Sequence, residues 1–355
     1  MNLDEKKLEK EIEEQRNSLS TDRMDMSFGE ILSMYEREEI IIDPDFQRLF
    51  RWDLEQQTRF MESILLGIPI PPIFVAENDE GKWELVDGLQ RTSSILSFFG
   101  VLKTIPEKNR WSMLEGERVP SLLGFNIDTL PNKFKLNIKR STCRIEIIRW
   151  NSNYDLRFEL FNRLNTGGTP LTPQEIRNCI YRGISTKFND FLKKLANSED
   201  FLNLIDLDST QLEELYHEEL VLRFLSLYKN SSNIKFSIAQ HMTYYMRDAV
   251  NNPTYKYEDL ETIFNNVLKI LKPHSKSIFR HSNRQFATAL YDTIMIGVAE
   301  NISNFQNPNT SQKLSDKIKE PKREQELIKF TTKRGNNQQG RIKNRIKEAK
   351  RIFGN

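Results

Sequence analysis

Trp83-Glu-Leu-Val-Asp-Gly-Leu-Gln-Arg-Thr-Ser-Ser94 is the stretch on which the fold turns. Its first residues form a strand-like run. A second run, Ile73-Phe-Val-Ala76, lies across the turn Glu77-Asn-Asp-Glu-Gly-Lys82, and the two predict a hairpin. Asp87-Gly88 breaks the strand, and Ile95, Leu96, Phe98 and Phe99 give a helix directly behind it. Gly88 allows tight backbone geometry and close approach by a ligand. The first turn of a helix carries unpaired N–H groups and the positive end of the dipole. That combination is an anion cradle suited to phosphate. Arg91 can add a bidentate contact, Thr92, Ser93 and Ser94 add hydroxyls, and Asp87 can hold a divalent ion or orient water. The same residues fit an ordinary capped helix with a surface arginine.

Upstream, Ser27-Phe-Gly-Glu30 is a capping-box pattern ahead of Phe28, Ile31, Leu32 and Tyr35 at helical spacing. Ile40-Ile-Ile-Asp-Pro44 is a short strand stopped by proline, and Asp53 begins a helix with Leu54, Met61, Ile64 and Leu65 as its apolar side. Residues 1–20 read as a polar lead-in and 100–141 as irregular, whereas Cys143 to Ile148 alternate as a strand. After about residue 153 the apolar period changes to three and four. Thr172-Pro-Gln-Glu175 is a strong helix start. The reading is α+β. A polar lead-in covers 1–24, an α+β domain 25–152, an all-helical domain 153–302, and a polar linker with a basic helix 303–355. In that last helix Ile342, Ile346, Ala349 and Phe353 share a face, with Arg341, Lys343, Arg345, Lys347, Lys350 and Arg351 around it as candidate DNA contacts.

Composition narrows the class. The 355 residues include 22 Phe, 10 Tyr and 4 Trp, so the chain can bury a real core. No apolar run is long enough to span a membrane, and the charged start is no signal peptide. Cys143 and Cys179 cannot build a disulfide framework and fit free thiols in a reducing cytoplasm. The net charge of +2 hides an acidic head, net −6 over 1–39, and a basic tail, net +9 over 313–355. Such a tail either neutralises phosphates or is a solvated helix face. There is no Cys-x-x-Cys, no His-Glu-x-x-His and no tight His/Asn/His cluster. Gly335 to Gly340 has P-loop spacing, but Arg341 and Ile342 stand where that loop needs Lys and Ser/Thr. The metal-ligand set is therefore left unknown.

Two further segments accompany the turn. Asp43-Pro-Asp-Phe-Gln-Arg-Leu-Phe-Arg-Trp52 sets Gln47 and Arg48 between aromatic anchors. Phe161 to Asn178 joins two helices through Gly167-Gly168, with Asn162 and Asn165 close by. In this order the segments resemble the ParB-like domain of unknown function 262, found in GmrSD type IV restriction enzymes and related phage-defence proteins. The resemblance rests on Phe46-Gln47-Arg48 with Trp52, on Asp87-Gly88-Leu89-Gln90-Arg91, and on Asn165, Gly168, Leu171, Glu175 and Asn178. It implies a ParB/sulfiredoxin-like fold over 25–152 that binds a nucleoside triphosphate with Mg²⁺ and regulates DNA restriction. Carried over, Asp87, Gln90 and Arg91 are the hydrolytic residues, with Gly88, Thr92, Ser93, Gln47, Arg48 and Asn165 around the nucleotide. Leu89 departs from the commonest family residue, Gln, and no His-Asn-His nuclease motif follows residue 180. Implied partners are nucleotide, DNA, a partner nuclease subunit and a second copy of the chain. Two other readings stand beside this one: a DNA-binding module without hydrolysis, and a ParB-like nuclease built on Asp43, Asp45, Asp87 and Glu146.

Overall fold

The computed structural model describes residues 4–17, 20–42, 50–78, 80–149, 171–182, 184–235, 237–274, 276–280, 285–306, 310–323 and 337–354. The chain forms two compact units, 1–170 and 171–355. It is mixed α+β.

In the first unit the elements run α1 (Glu5–Asn17), β1 (Thr21–Ser27), α2 (Phe28–Glu36), β2 (Ile40–Ile41), α3 (Leu54–Leu66), β3 (Ile73–Glu77), β4 (Trp83–Asp87), α4 (Leu89–Phe99), α5 (Asn132–Arg140) and β5 (Thr142–Ile148). The strands make a five-stranded sheet of order β1-β5-β3-β4-β2. The β1–β5 and β3–β4 pairs are antiparallel, and β3–β5 and β2–β4 are parallel. Ile73, Val75, Leu85, Ile145 and Ile147 are buried, as are Ile31 of α2, Met61 of α3 and Leu96 of α4.

Local chemistry sets the helix starts. Asp53 and Gln56 exchange a complete capping box at α3, at 2.8 and 3.2 Å. At α2 only half the expected box forms. Ser27 accepts from the Glu30 N–H at 3.2 Å, while the Glu30 carboxylate turns to Arg37 at 2.9 Å. Two expectations change here. The polar lead-in expected over 1–24 ends inside β1, an edge strand whose exposed Thr21, Asp22 and Arg23 hide the alternation. The stretch expected to be irregular contains α5, in which Ile138 is buried while Phe134 and Leu136 stay partly exposed, so no apolar stripe marks it.

In the second unit the described elements are helical apart from a bridge between Arg280 and Phe286. They are α6 (Pro173–Arg182), α7 (Thr186–Ala196), α8 (Glu199–Ile205), α9 (Ser209–Glu213), α10 (Tyr216–Leu227), α11 (Ile238–Val250), α12 (Tyr257–Leu271), α13 (Thr288–Glu300), α14 (Ser311–Arg323) and α15 (Gln339–Gly354). Residues Ala289 to Ala299 of α13 are all buried. Helix α15 packs on α13 so closely that a Cβ at Gly297 would collide with the Phe353 ring. The expected loose linker holds α14, which buries Leu314 and Ile318 and directs the Lys317 ammonium to the Ile352 carbonyl of α15. Leu314 and Ile318 are four apart within polar sequence, too short a signal to read as a helix.

Candidate functional site

The turn between β4 and α4 is built as its residue types dictate. Gly88 caps α4 with φ +97°, a left-handed conformation that favours glycine. A Cβ there would lie 3.0 Å from Ile73 Cγ1 and 3.4 Å from the Arg91 guanidinium. Among the described residues no side chain caps the N-terminus of α4, the kind of helix start that suits an anion. Asp87 and Arg91 meet at 3.3 Å, one helical turn apart. Arg91 also donates to the Pro71 carbonyl at 2.5 Å. These contacts use two of its five donors among the described residues. Burial of the Arg91 guanidinium lowers its pKa, and Asp87 opposes that effect. Arg91 stays cationic.

Gln90 does something the sequence did not show. Its Oε1 accepts the backbone N–H groups of Arg51 and Trp52, at 2.9 and 3.0 Å. Gln57 donates to the Trp52 carbonyl at 2.9 Å, and the Lys108 ammonium donates to the Phe50 carbonyl at 2.7 Å. The backbone of Phe50 to Trp52 is thus clamped by three side chains. This gives a physical cause for the joint presence of the segment around Trp52 and the Asp-Gly-Leu-Gln-Arg turn. One segment holds the other in place.

The remaining candidates are placed as follows. Gly88 and Leu89 are buried, and Leu89 is only 5% exposed, so its position faces the core and an apolar residue is at home there. Thr92 and Ser93 are also buried, and their hydroxyls have no hydrogen-bond partner among the described residues. The accessible part of the turn is therefore Asp87, Gln90 and Arg91. Gln47, Arg48 and Asn165 lie outside the described residues, as do Asp43 and Asp45. Asp87 and Glu146 both lie opposite Phe74 in the sheet register, on its two sides, so a strand separates them. Among the described residues no group of three His, Cys, Asp or Glu is arranged to hold a metal. Mg²⁺ carried on phosphates needs only one or two carboxylates, a demand that Asp87 fits. Cys143 is a free thiol, and burial pushes its pKa up to about 12, so it is inert.

On α15 the expectation that Arg345 lies on a basic surface is not met. It is fully buried and paired with Asp292 at 2.5 Å. Lys350 pairs with Glu300 at 2.9 Å and Arg351 with Glu348 at 2.7 Å. Lys347 is exposed, and Arg341 and Lys343 are half-buried.

Residues 28–182 match the family model described as GmrSD restriction endonuclease, N-terminal domain. The match supports a GmrSD-type N-terminal domain over that stretch, which contains the whole Asp87–Arg91 turn. No curated protein and no solved structure matches the chain. No helix among the described residues is long and apolar enough to cross a membrane.

Proposed function

We propose that the chain is a regulatory protein of a DNA restriction or phage-defence system that binds a nucleoside triphosphate and hydrolyses it at the Asp-Gly-Leu-Gln-Arg turn. The observation that carries this is an N-terminus of α4 that has no side-chain cap among the described residues, beside an arginine that uses two of its five donors there. The family match adds the restriction context. In this reading the first N–H groups of α4 and Arg91 hold phosphate oxygens. Asp87 carries Mg²⁺ or orients the attacking water, and Gln90 holds the segment that closes the site. Gln47, Arg48 and Asn165 are proposed at the nucleotide through the family resemblance alone.

The test is phosphate release from ATP, GTP, CTP and UTP with Mg²⁺, with and without DNA, by wild type and Asp87→Ala. Turnover lost in the variant supports the reading. Absence of both turnover and nucleotide binding sinks it. A DNA contact through α15 is a second proposal, resting on Lys343 and Lys347, which make no ion pair among the described residues. Lys347→Glu would then weaken DNA binding and flatten its salt dependence. A partner nuclease subunit and a second copy of the chain belong to the same proposal.

A further inference from the structure

The second unit contains a cavity of about 300 Å³ that the nucleotide reading does not use. Thr172, Pro173, Gln174, Gln211, Glu214, Tyr216 and Glu219 line it. Its volume lies at the small end of the range for ligand sites. The lining carries two carboxylates and no basic side chain.

The chemistry of each wall can be followed. Behind the wall, buried Arg177 donates to Gln174 Oε1 at 2.9 Å and to Glu219 Oε2 at 3.3 Å. Gln174 also donates to Asn178 at 2.9 Å, so its amide is committed at both ends. Glu219 is thus held in place, and its second oxygen makes no hydrogen bond among the described residues. The carboxylate of half-buried Glu214 makes no hydrogen bond or ion pair among the described residues. Helix α6 begins at the same cavity, and a helix start would ordinarily favour an anion. Here Thr172 and Glu175 cap each other, at 2.7 and 3.3 Å, and Pro173 has no N–H. The Glu175 carboxylate answers the dipole and Arg177 offsets Glu219, so Glu214 leaves the cavity a net negative charge. Of the remaining walls, the Gln211 amide is polar and engaged in a capping box with Asp208, and Pro173 and Tyr216 are apolar. The Tyr216 ring stands edge-on to Phe286 at 6.0 Å, and its hydroxyl is tied to Thr288 at 2.5 Å. The ring and the Pro173 ring offer a surface to an alkyl stem, and the aromatic face also favours a cation.

We propose that this cavity binds a small aliphatic amine cation, its ammonium between Glu214 and Glu219 and its stem along Pro173 and Tyr216. The source is either a free di- or polyamine or the end of a lysine side chain. The proposal does not depend on nucleotide binding.

Calorimetry on the full chain tests it with putrescine, with Nα-acetyl-lysine methylamide, and with 1,4-butanediol as the uncharged control. The expected result is saturable amine binding that weakens with salt, no binding of the diol, and about tenfold weaker amine binding in Glu214→Gln. Glu214→Gln should keep the wild-type melting temperature, because that carboxylate holds no other group in place. The tighter of the two amines names the source. Equal affinity for the diol, unchanged affinity in Glu214→Gln, or no saturable binding of either amine overturns the proposal. So does displacement of putrescine by an equal concentration of Mg²⁺, which would assign the carboxylates to a metal.

Discussion

Asp87 with Arg91 in the first unit, and Asp292 with Arg223 and Arg345 in the second, bring the same functional groups together in two settings. The Asp87 side chain is 40% exposed and touches one guanidinium nitrogen at 3.3 Å. The Asp292 side chain is fully buried. It takes two bonds from Arg223, at 2.6 and 2.8 Å, and one from Arg345 at 2.5 Å. Arg223 also donates to Asn337 at 3.1 Å. One pair keeps hydrogen-bonding capacity at a solvent-reached turn, as a site for an anion must. The other commits its carboxylate inside a packed helical core, where capacity left over would cost stability. Charge alone does not separate a site from a strut. The degree of satisfaction does.

The largest effect should come from removing the carboxylate of the buried group. Asp292→Asn takes from two buried guanidiniums the carboxylate they share, and denaturant unfolding should show a loss of about 3–5 kcal/mol. The pH dependence follows from the same group. Burial would raise the Asp292 pKa, but the two guanidiniums outweigh it and hold the carboxyl below its usual range. Its stabilising contribution is present above the unfolded pKa of about 4 and disappears as pH falls through the lower folded value. Wild-type loss at or above neutral pH would contradict this.

In the open pair, Gln90 and Arg91 should separate structure from ligand binding. Gln90→Ala leaves the Arg51 and Trp52 N–H groups without their acceptor and should cost about 1–3 kcal/mol in stability. Gln90→Glu retains an oxygen acceptor and should recover most of that stability. Turnover still absent in Gln90→Glu would give Gln90 a part in the chemistry beyond the clamp. Arg91→Ala should instead weaken nucleotide binding by about 1.5–3 kcal/mol, measured by calorimetry. Equal affinity in wild type and variant would remove Arg91 from the site.

The contrast also shows what was legible in the sequence. The hairpin Ile73–Asp87, Gly88 and the helix behind it follow from local residue types, because each acts within a few positions. So do the starts of α3 and α6, set by Asp53 and Thr172. The clamp by Gln90 joins residues 38 and 39 positions apart and has no local signature. Arg345 looked like one of six cations around an apolar stripe. Its burial depends on Asp292, 53 residues earlier. One signal was present: Asp292 is the sole charged residue between Tyr291 and Ala299, the buried stretch of α13, and such a carboxylate needs a partner.

A smaller effect is expected from His217. Burial lowers its pKa to about 4. An unfolded histidine titrates near about 6.5, so between these values the unfolded chain binds a proton that the folded one does not. Stability should therefore fall as pH drops through that window. His217→Leu should flatten that part of the curve, with His241, also lowered by burial, retaining its own share. An unchanged slope in the variant would mean that the ring protonates without opening the fold.

The smallest expected change is at Arg345, and it sharpens the comparison most. Asp292 already has a bidentate partner in Arg223, so Arg345 adds a second buried cation to a pair that is neutral without it. Replacing a buried charge by an apolar side chain of similar reach is often neutral or stabilising, because desolvation offsets the attraction. Arg345→Met should accordingly change the free energy of unfolding by less than about 1 kcal/mol, with Ile342, Ile346 and Phe353 keeping α15 on α13. A loss as large as that of Asp292→Asn would show that the three charges act as one unit. In that case Arg345 is as necessary to the helical core as the carboxylate it meets.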